Sequence, residues 1–247
     1  MYELNICHLY PDILNLYGDR GNIFTLCRRL EWRGMKANVT EVSIGDSFRA
    51  EDYDIFFIGG GQDFEQEILL SDLAGGKGDE IKKAVELGKV FLAICGGYQI
   101  LGESYTTWDG VECRFIGAID VKTVGKKERM IGNYMFRCGE EDGGEVVVGF
   151  ENHSGMTFLG EGVRPLGTVL AGSGNNGQDK TEGARYKNVF CTYSHGSLLP
   201  KNPVLADRLL KIALENKYGA PVELAPLDDE FEQRAHNYMQ HRLENVK

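Results

Sequence analysis

A chain of 247 residues with 42% hydrophobic content can bury one substantial core, arranged as one large domain or two small ones. Its formal net charge of −10, without any run rich in Lys or Arg, argues against a nucleic-acid partner. The six cysteines are scattered with no Cys-x-x-Cys pair, so neither a metal site nor a disulfide framework is predicted. We find no signal peptide and no apolar run near the ~18 residues of a membrane-spanning helix, and therefore expect a cytoplasmic protein.

The first part of the chain alternates predicted strands with predicted helices. Strands are expected at 4–9, 37–44, 54–58 and 90–94, and helices at 23–32, 65–73 and 79–87. Asn22 is expected to cap the first helix. This alternation is typical of a parallel, doubly wound α/β sheet, which binds ligands at the carboxyl ends of its strands.

Two loops in this part have unusual composition. The loop at residues 10–22 is apolar for a surface connection, so it either packs under the rim of an active site or contacts a partner. The loop Gly59-Gly60-Gly61 allows its backbone to approach a ligand closely and to point N–H groups at it. No Gly-Lys-Ser/Thr follows these glycines, so a nucleotide-binding P-loop is not expected.

Beyond Gly102 the pattern changes to shorter β-type segments separated by glycines. They lie at 115–121, 130–137, 145–150, 166–171 and 188–193. We interpret them as mixed or antiparallel additions to the same domain, because no linker precedes them. A helix is predicted from Pro203 to about Tyr218, and an amphipathic helix over 228–246. We therefore divide the chain into a domain at 1–220 and a C-terminal segment at 221–247 that packs on this domain or on a partner.

Cys95 lies at the corner of a predicted strand-turn-helix unit. The strand at 90–94 is followed by Gly96-Gly97, which permit an abrupt reversal into a helix. At a helix N-terminus the free N–H groups and the positive dipole end stabilise a thiolate. A cysteine that only packs in a core needs neither feature, so we predict a nucleophile elbow with sulfur in place of the serine oxygen.

A cysteine nucleophile requires a general base, and two of the five histidines end predicted strands. His195 follows the apolar run at 189–193 and is the favoured base. His153, within Gly-Phe-Glu-Asn-His-Ser-Gly at 149–155, is the alternative. The remaining histidines lie within a predicted strand or on the terminal helix: His8, His236 and His241.

Four motifs in this order resemble a class I, triad-type glutamine amidotransferase domain of the cobyric acid synthase-like branch. They are Gly59-Gly60-Gly61, Cys95-Gly-Gly-Tyr-Gln99, the heptapeptide at 149–155 and Tyr193-Ser-His-Gly196. Further stretches at 14–18, 186–188 and 199–202 extend the similarity over most of the chain to stand-alone glutaminase subunits. The resemblance implies a flavodoxin-like, mostly parallel sheet flanked by helices, with added mixed or antiparallel strands.

The resemblance also implies a reaction on L-glutamine. Cys95 would attack the side-chain amide, and the glutamyl thioester would be hydrolysed after ammonia leaves. His195 would act as the base that later protonates the ammonia. Gly60 and Gly96 would donate the backbone N–H groups of the oxyanion hole. No cofactor of the chain's own is implied.

Two residues are assigned to substrate binding by the same resemblance. Gln99 matches a glutamine-contacting position of the family. Arg129, which precedes an expected turn at Gly132-Asn133, matches a substrate-holding arginine whose fork suits the α-carboxylate. The alternative for Arg129 is an ordinary surface arginine.

The partner implied by the resemblance is a separate Mur-ligase-like synthetase. That subunit would bind ATP and use the ammonia to amidate the D-glutamate of lipid II, a lipid-linked precursor of peptidoglycan, so that the chain itself would need no membrane span. Two alternatives remain open: an amidotransferase subunit for another carboxylate of the cobyric acid type, and a non-catalytic module that regulates a partner.

One position departs from the family pattern. Members with a full triad carry a glutamate two residues after the histidine, and this chain has Ser197 there. We therefore expect no orienting carboxylate in this chain, and hypothesise that the partner supplies one. Asp19 is the candidate within the chain to be excluded first.

Overall fold

The computed structural model describes residues 1–61 and 63–245, with only the backbone of 63–67. The strands are β1 (Glu3–Leu9), β2 (Lys36–Val42), β3 (Ile55–Ile58), β4 (Val90–Ile94), β5 (Ser104–Thr106), β6 (Glu112–Arg114), β7 (Val121–Cys138), β8 (Val146–Leu159), β9 (Gly167–Ala171), β10 (Thr181–Glu182), β11 (Ala184–Tyr186) and β12 (Val189–Thr192). The α-helices are α1 (Gly21–Glu31), α2 (Asp63–Asp72), α3 (Gly78–Glu86), α4 (Gly96–Leu101), α5 (Pro203–Tyr218) and α6 (Glu230–Glu244), with a π-helical turn at Leu73–Lys77 between α2 and α3.

The first sheet has the order β2-β1-β3-β4-β12-β11. Its first five strands pair in parallel, and β11 is antiparallel to β12. This is the flavodoxin-like order, whose switch point lies between β1 and β3. Every residue of β3, β4 and β12 is buried, as expected of parallel strands covered on both faces. The predicted α/β fold is confirmed, and the loops that follow β1, β3, β4 and β12 meet at one edge of the sheet.

The second sheet has the order β10-β9-β7-β5-β6, and β8 pairs with β7 outside that path. The antiparallel pair β7–β8 shifts register between Gly125 and Met130. The predicted addition of mixed and antiparallel strands is confirmed, although they form a separate sheet. The segment at 188–193 is the exception, because it joins the first sheet as β12.

Three details of the prediction are wrong. Residues 115–120 are irregular, and no turn interrupts β7 at Gly132. Asn22 does not cap α1 but lies buried in its first turn, where its side-chain oxygen accepts a hydrogen bond from the Leu199 N–H over 2.9 Å. At Gly132 and Asn22 a long-range contact outweighs the local signal, because pairing with β8 or a bond to residue 199 satisfies the backbone. The backbone N–H groups of 115–118 instead donate to carbonyls of residues 100–103, outside regular strand pairing.

The C-terminal helix α6 packs on its own chain. Leu243 forms a small apolar cluster with Met135 of β7 and Val148 of β8, and His236 Nδ1 donates to the Lys201 carbonyl over 2.9 Å. The predicted end of this helix at Val246 lies outside the described residues, and the division at residue 220 stays a prediction. Among the described helices, none is long and apolar enough to cross a membrane.

Candidate active site

The strand-to-helix corner holds Cys95 in a strained backbone conformation. Its φ of 46° and ψ of −100° lie outside the regions that residues with a side chain usually occupy. A Cβ on Gly97 would come within 2.6 Å of Ile58 Cγ2, so this glycine allows α4 to begin directly against the end of β3. The thiol is therefore presented at the carboxyl edge of the sheet, as a nucleophile elbow requires.

His195 follows β12 and meets an acidic side chain from the β1–α1 loop, residues 10–20. Its Nδ1 lies 3.2 Å from Asp19 Oδ2, and both side chains are fully buried. An ionised carboxylate only accepts, so Nδ1 carries the proton of this hydrogen bond. The second ring nitrogen, Nε2, is thereby left for proton transfer with the thiol.

The electrostatic setting of His195 favours its charged form. Burial opposes the charge, but the Cys95 thiolate and the hydrogen bond with Asp19 outweigh it and raise the pKa of His195 to about 10. An imidazolium beside a thiolate is the state in which a cysteine attacks most readily.

The expectation that this chain lacks an orienting carboxylate is wrong. Asp19 and His195 are 176 positions apart in sequence but follow two strands that end at the same sheet edge. Ser197, at the position where the family carries a glutamate, instead donates its hydroxyl to the Gly18 carbonyl over 2.8 Å. The carboxylate that contacts the histidine thus comes from the β1–α1 loop.

The two glycines assigned to the oxyanion hole lie in different settings. The Gly60 N–H donates to Asp19 Oδ2 over 2.9 Å in this structure, and its assignment to an oxyanion stays a prediction. Gly60 also makes room for the base, because a Cβ there would lie 2.3 Å from His195 Cε1. Gly96 is the first residue of α4, where N–H groups lack intrahelical acceptors, and its role stays a prediction.

A cavity of about 410 Å³ opens beside the thiol. Its walls are formed by Leu16, Tyr17, Gly61, Cys95, Gln99, Arg129, Asn152, His153, Ser154 and Gly155. The structure thus brings both predicted substrate-binding residues to the nucleophile. Gln99 is buried and donates its amide N–H to the Tyr193 hydroxyl over 3.1 Å.

Arg129 lies on β7 and projects into the cavity wall from the second sheet. Its Nε donates to Asn152 Oδ1 over 2.7 Å, and its Nη2 donates to the Asn152 carbonyl over 3.0 Å. Arg129 is exposed, and these two contacts tie its guanidinium to Asn152 at the cavity wall. Its contact with substrate stays a prediction.

Comparison with protein families agrees with this geometry. The model of the CobB/CobQ-like glutamine amidotransferase domain matches residues 5–203. The chain belongs to this family.

Two curated relatives match the amidotransferase over nearly its whole length. The GatD subunit of the glutamine-hydrolysing lipid II isoglutaminyl synthase of Staphylococcus aureus is 43% identical over 247 residues, covering 100% of this chain and 99% of the relative. The same subunit of Streptococcus pneumoniae is 43% identical over 229 residues, covering 92% and 87%. A crystal structure of a glutamine amidotransferase from Thermotoga maritima shares the fold at 16% identity, with a TM-score of 0.57 and coverage of 98% and 95%.

In this amidotransferase, the alternative base His153 has a different setting. Its Nδ1 donates to the Gly155 carbonyl over 2.8 Å, and its ring stacks on Tyr193 with centroids 3.6 Å apart. Its Nε2 faces Glu151 Oε2 at 3.9 Å. The geometry therefore favours His195 as the base and gives His153 a place in the cavity wall.

Two residues of the amidotransferase site were not singled out by the sequence. Tyr17 and Asn152 line the cavity, and the Asn152 amide nitrogen donates to the Tyr17 hydroxyl. Asn152 lies inside the heptapeptide at 149–155, and Tyr17 inside the apolar loop, but no local pattern distinguishes either residue from its neighbours. The loop packs at the rim of the site, as one of the two interpretations predicted.

Proposed function

We propose that this chain is a glutaminase subunit that hydrolyses L-glutamine and passes the ammonia to a separate ATP-dependent synthetase. The observation that carries the proposal is that Cys95, on the wall of the cavity, interacts with His195, whose ring is buried against Asp19. Arg129 lies on the wall of the same cavity, where its guanidinium suits an α-carboxylate.

The proposed reaction follows from the positions of these groups. The Cys95 thiolate attacks the side-chain carbonyl carbon of glutamine, and the Gly96 N–H stabilises the oxyanion. His195 gives its proton to the amide nitrogen, so that ammonia leaves and a glutamyl thioester remains. A water molecule then gives a proton to His195 and attacks the thioester, which releases glutamate and restores the thiolate.

The acceptor is proposed from the relatives. The S. aureus and S. pneumoniae relatives are named as GatD subunits of lipid II isoglutaminyl synthase, and their similarity extends over nearly the whole chain. We therefore assign this chain a cytoplasmic, Mur-ligase-like partner of the MurT type. That partner would bind ATP and amidate the D-glutamate of lipid II to D-isoglutamine. A more distant relative, the cobyric acid synthase of Listeria welshimeri, makes a cobyric acid-type carboxylate the second candidate.

The test uses the chain purified together with its synthetase. Cys95→Ser should abolish glutamine-dependent amidation of lipid II, because the hydroxyl is a far weaker nucleophile than the thiolate, while added ammonia should still support amidation. Cys27→Ser is the matched control, since Cys27 is a free, partly exposed cysteine of α1. Retention of glutaminase activity by Cys95→Ser would refute the proposal, and amidation of a cobyric acid-type acceptor instead of lipid II would replace the acceptor.

A further inference from the structure

The Arg129 guanidinium is held by one residue of the neighbouring strand. Asn152 accepts one hydrogen bond through its side chain and one through its main chain. These two bonds use two of the five N–H donors of a guanidinium. Of the three that remain, one on each terminal nitrogen can make a two-point contact with a carboxylate. The orientation of this fork therefore depends on Asn152.

Asn152 is in turn fixed by Tyr17. Because arginine only donates, the Asn152 amide oxygen must face Arg129, and the amide nitrogen then faces the Tyr17 hydroxyl, to which it donates. Asn152 is only 8% exposed. Loss of the hydroxyl would therefore leave a nearly buried amide N–H without its acceptor, which destabilises this orientation of Asn152.

Tyr17 belongs to the β1–α1 loop, which also supplies the Asp19 carboxylate that contacts His195. It has a φ of 57°, in the left-handed region that aromatic residues rarely adopt. Its ring meets the His195 ring edge to face, with centroids 5.1 Å apart, and Asp19 two residues later contacts His195 Nδ1. One short loop thus touches the proposed base directly and the substrate arginine through Asn152.

We propose that Tyr17 and Asn152 are positioning residues that set the Arg129 fork for the α-carboxylate of glutamine. The conformation of the β1–α1 loop then controls the affinity for substrate. This inference rests on the proposed glutaminase function, and it assigns the loop a role in substrate binding that is separate from its contact with His195.

The test compares two reagents that alkylate Cys95 in the complex with the synthetase. Acivicin carries an α-amino acid group that Arg129 would bind, whereas iodoacetamide has no carboxylate. Tyr17→Phe and Asn152→Leu should slow labelling by acivicin about three- to ten-fold, the usual effect of one lost hydrogen bond, and should change labelling by iodoacetamide less than about two-fold. The KM for glutamine should rise by the same factor at nearly constant kcat.

A double variant and a control distinguish the proposed relay, which runs from Tyr17 through Asn152 to Arg129, from a general effect on the fold. If Tyr17 acts through Asn152, adding Tyr17→Phe to Asn152→Leu should cause no further loss. Tyr218→Phe is the matched control, because this tyrosine is 40% exposed against 44% for Tyr17 and its hydroxyl bonds to the Glu3 backbone outside the cavity. It should leave both labelling rates unchanged.

Two results would overturn the relay while leaving the glutaminase function intact. One is an unchanged acivicin rate in both variants, and the other is equal slowing of both reagents, which would indicate an effect through His195. A wild-type complex that neither hydrolyses glutamine nor reacts with acivicin at Cys95 would overturn the proposed function, and this inference with it.

Discussion

The two sheets contribute different parts of the site. The parallel sheet, whose strands β3, β4 and β12 are buried at every position, places the Cys95–His195–Asp19 array at its carboxyl edge. The second sheet supplies Arg129 and Asn152 from strands that are partly exposed. The three residues assigned to proton transfer thus follow strands of the parallel sheet, whereas Arg129 and Asn152 lie on the second sheet. Changes in the first set should alter kcat, and changes in the second set should alter KM.

Glu182 joins the two sheets. It lies on β10 of the second sheet, and its Oε1 accepts hydrogen bonds from the Tyr134 hydroxyl, the Thr192 hydroxyl and the Tyr193 N–H. Thr192 ends β12 of the first sheet, three residues before His195. A single buried carboxyl group therefore links the wall of the site to the strand that carries the base.

The largest expected effect comes from replacing the proposed base, His195, and is compared with replacing the alternative base, His153. His195→Ala should lower the kcat for glutamine by roughly 10³-fold or more, because His195 is the group placed to accept and return the proton of the Cys95 thiol. His153→Ala should act mainly on stability, since it removes the stack on Tyr193, and on KM. Steady-state glutaminase assays of both variants test this. The opposite pattern would exchange their roles.

A smaller loss is expected from Asp19→Asn. Replacing the orienting carboxylate of a serine triad costs ~10⁴ in kcat, and we expect roughly 10² here because a thiol ionises more readily than a hydroxyl. Asp54→Asn is the control, because Asp54 is also buried but bonds to the Asn5 N–H and Lys217. Both variants should be assayed as isolated subunit and as complex. An Asp19→Asn variant that is fully active only in the complex would support a carboxylate supplied by the partner.

Replacing Arg129, on the second sheet, should change the KM for glutamine much more than kcat. Arg129→Lys keeps the positive charge but loses the planar fork, so the KM for glutamine should rise about ten-fold while kcat changes less than about three-fold. Full glutamine titrations are needed to resolve the two parameters. An unchanged KM would remove Arg129 from the site, and a fall in kcat alone would contradict the division between the sheets.

A separate prediction concerns the pH dependence of stability at the junction between the two sheets. Burial raises the pKa of Glu182 from 4.5 to about 7, against the hydrogen bonds from Thr192, Tyr193 and Tyr134, which lower it. The folded state therefore binds more protons than the unfolded state between these two values. The contribution of Glu182 to the free energy of unfolding is fully present below pH 4.5 and is lost as the pH rises through 7, by an amount on the order of 3 kcal/mol.

Glu182→Gln removes this titration while keeping the accepting oxygen. Urea denaturation at pH 5 and pH 7.5 should show a smaller fall in the free energy of unfolding than in the wild type. Glu161→Gln, at an exposed position of the β8–β9 connection, should leave the wild-type dependence unchanged. An identical pH dependence in Glu182→Gln would show that the group is ionised in the folded protein throughout this range.

The sequence was most informative where the structure depends on residues that are close together in the sequence. The apolar runs of β3 and β4 identified parallel strands, because strands buried on both faces leave no polar alternation. The two glycines after Cys95 identified the elbow, because a strand cannot reverse into a helix there with side chains in the way. The long strand β7 was predicted only in its second half, since its middle carries consecutive charged residues at 126–129 that hide the alternation.

By itself the sequence determined the α/β class and singled out Cys95 and two histidines as candidates, because each depends on a local pattern of apolar, glycine and histidine residues. Only the tertiary structure decided that Asp19 contacts His195, that the Gly60 N–H bonds to Asp19, and that Arg129 is fixed by Asn152. The physical reason is that each of these contacts joins residues from different strands or loops. Strand order and register bring them within hydrogen-bonding distance, and no local sequence pattern encodes that proximity.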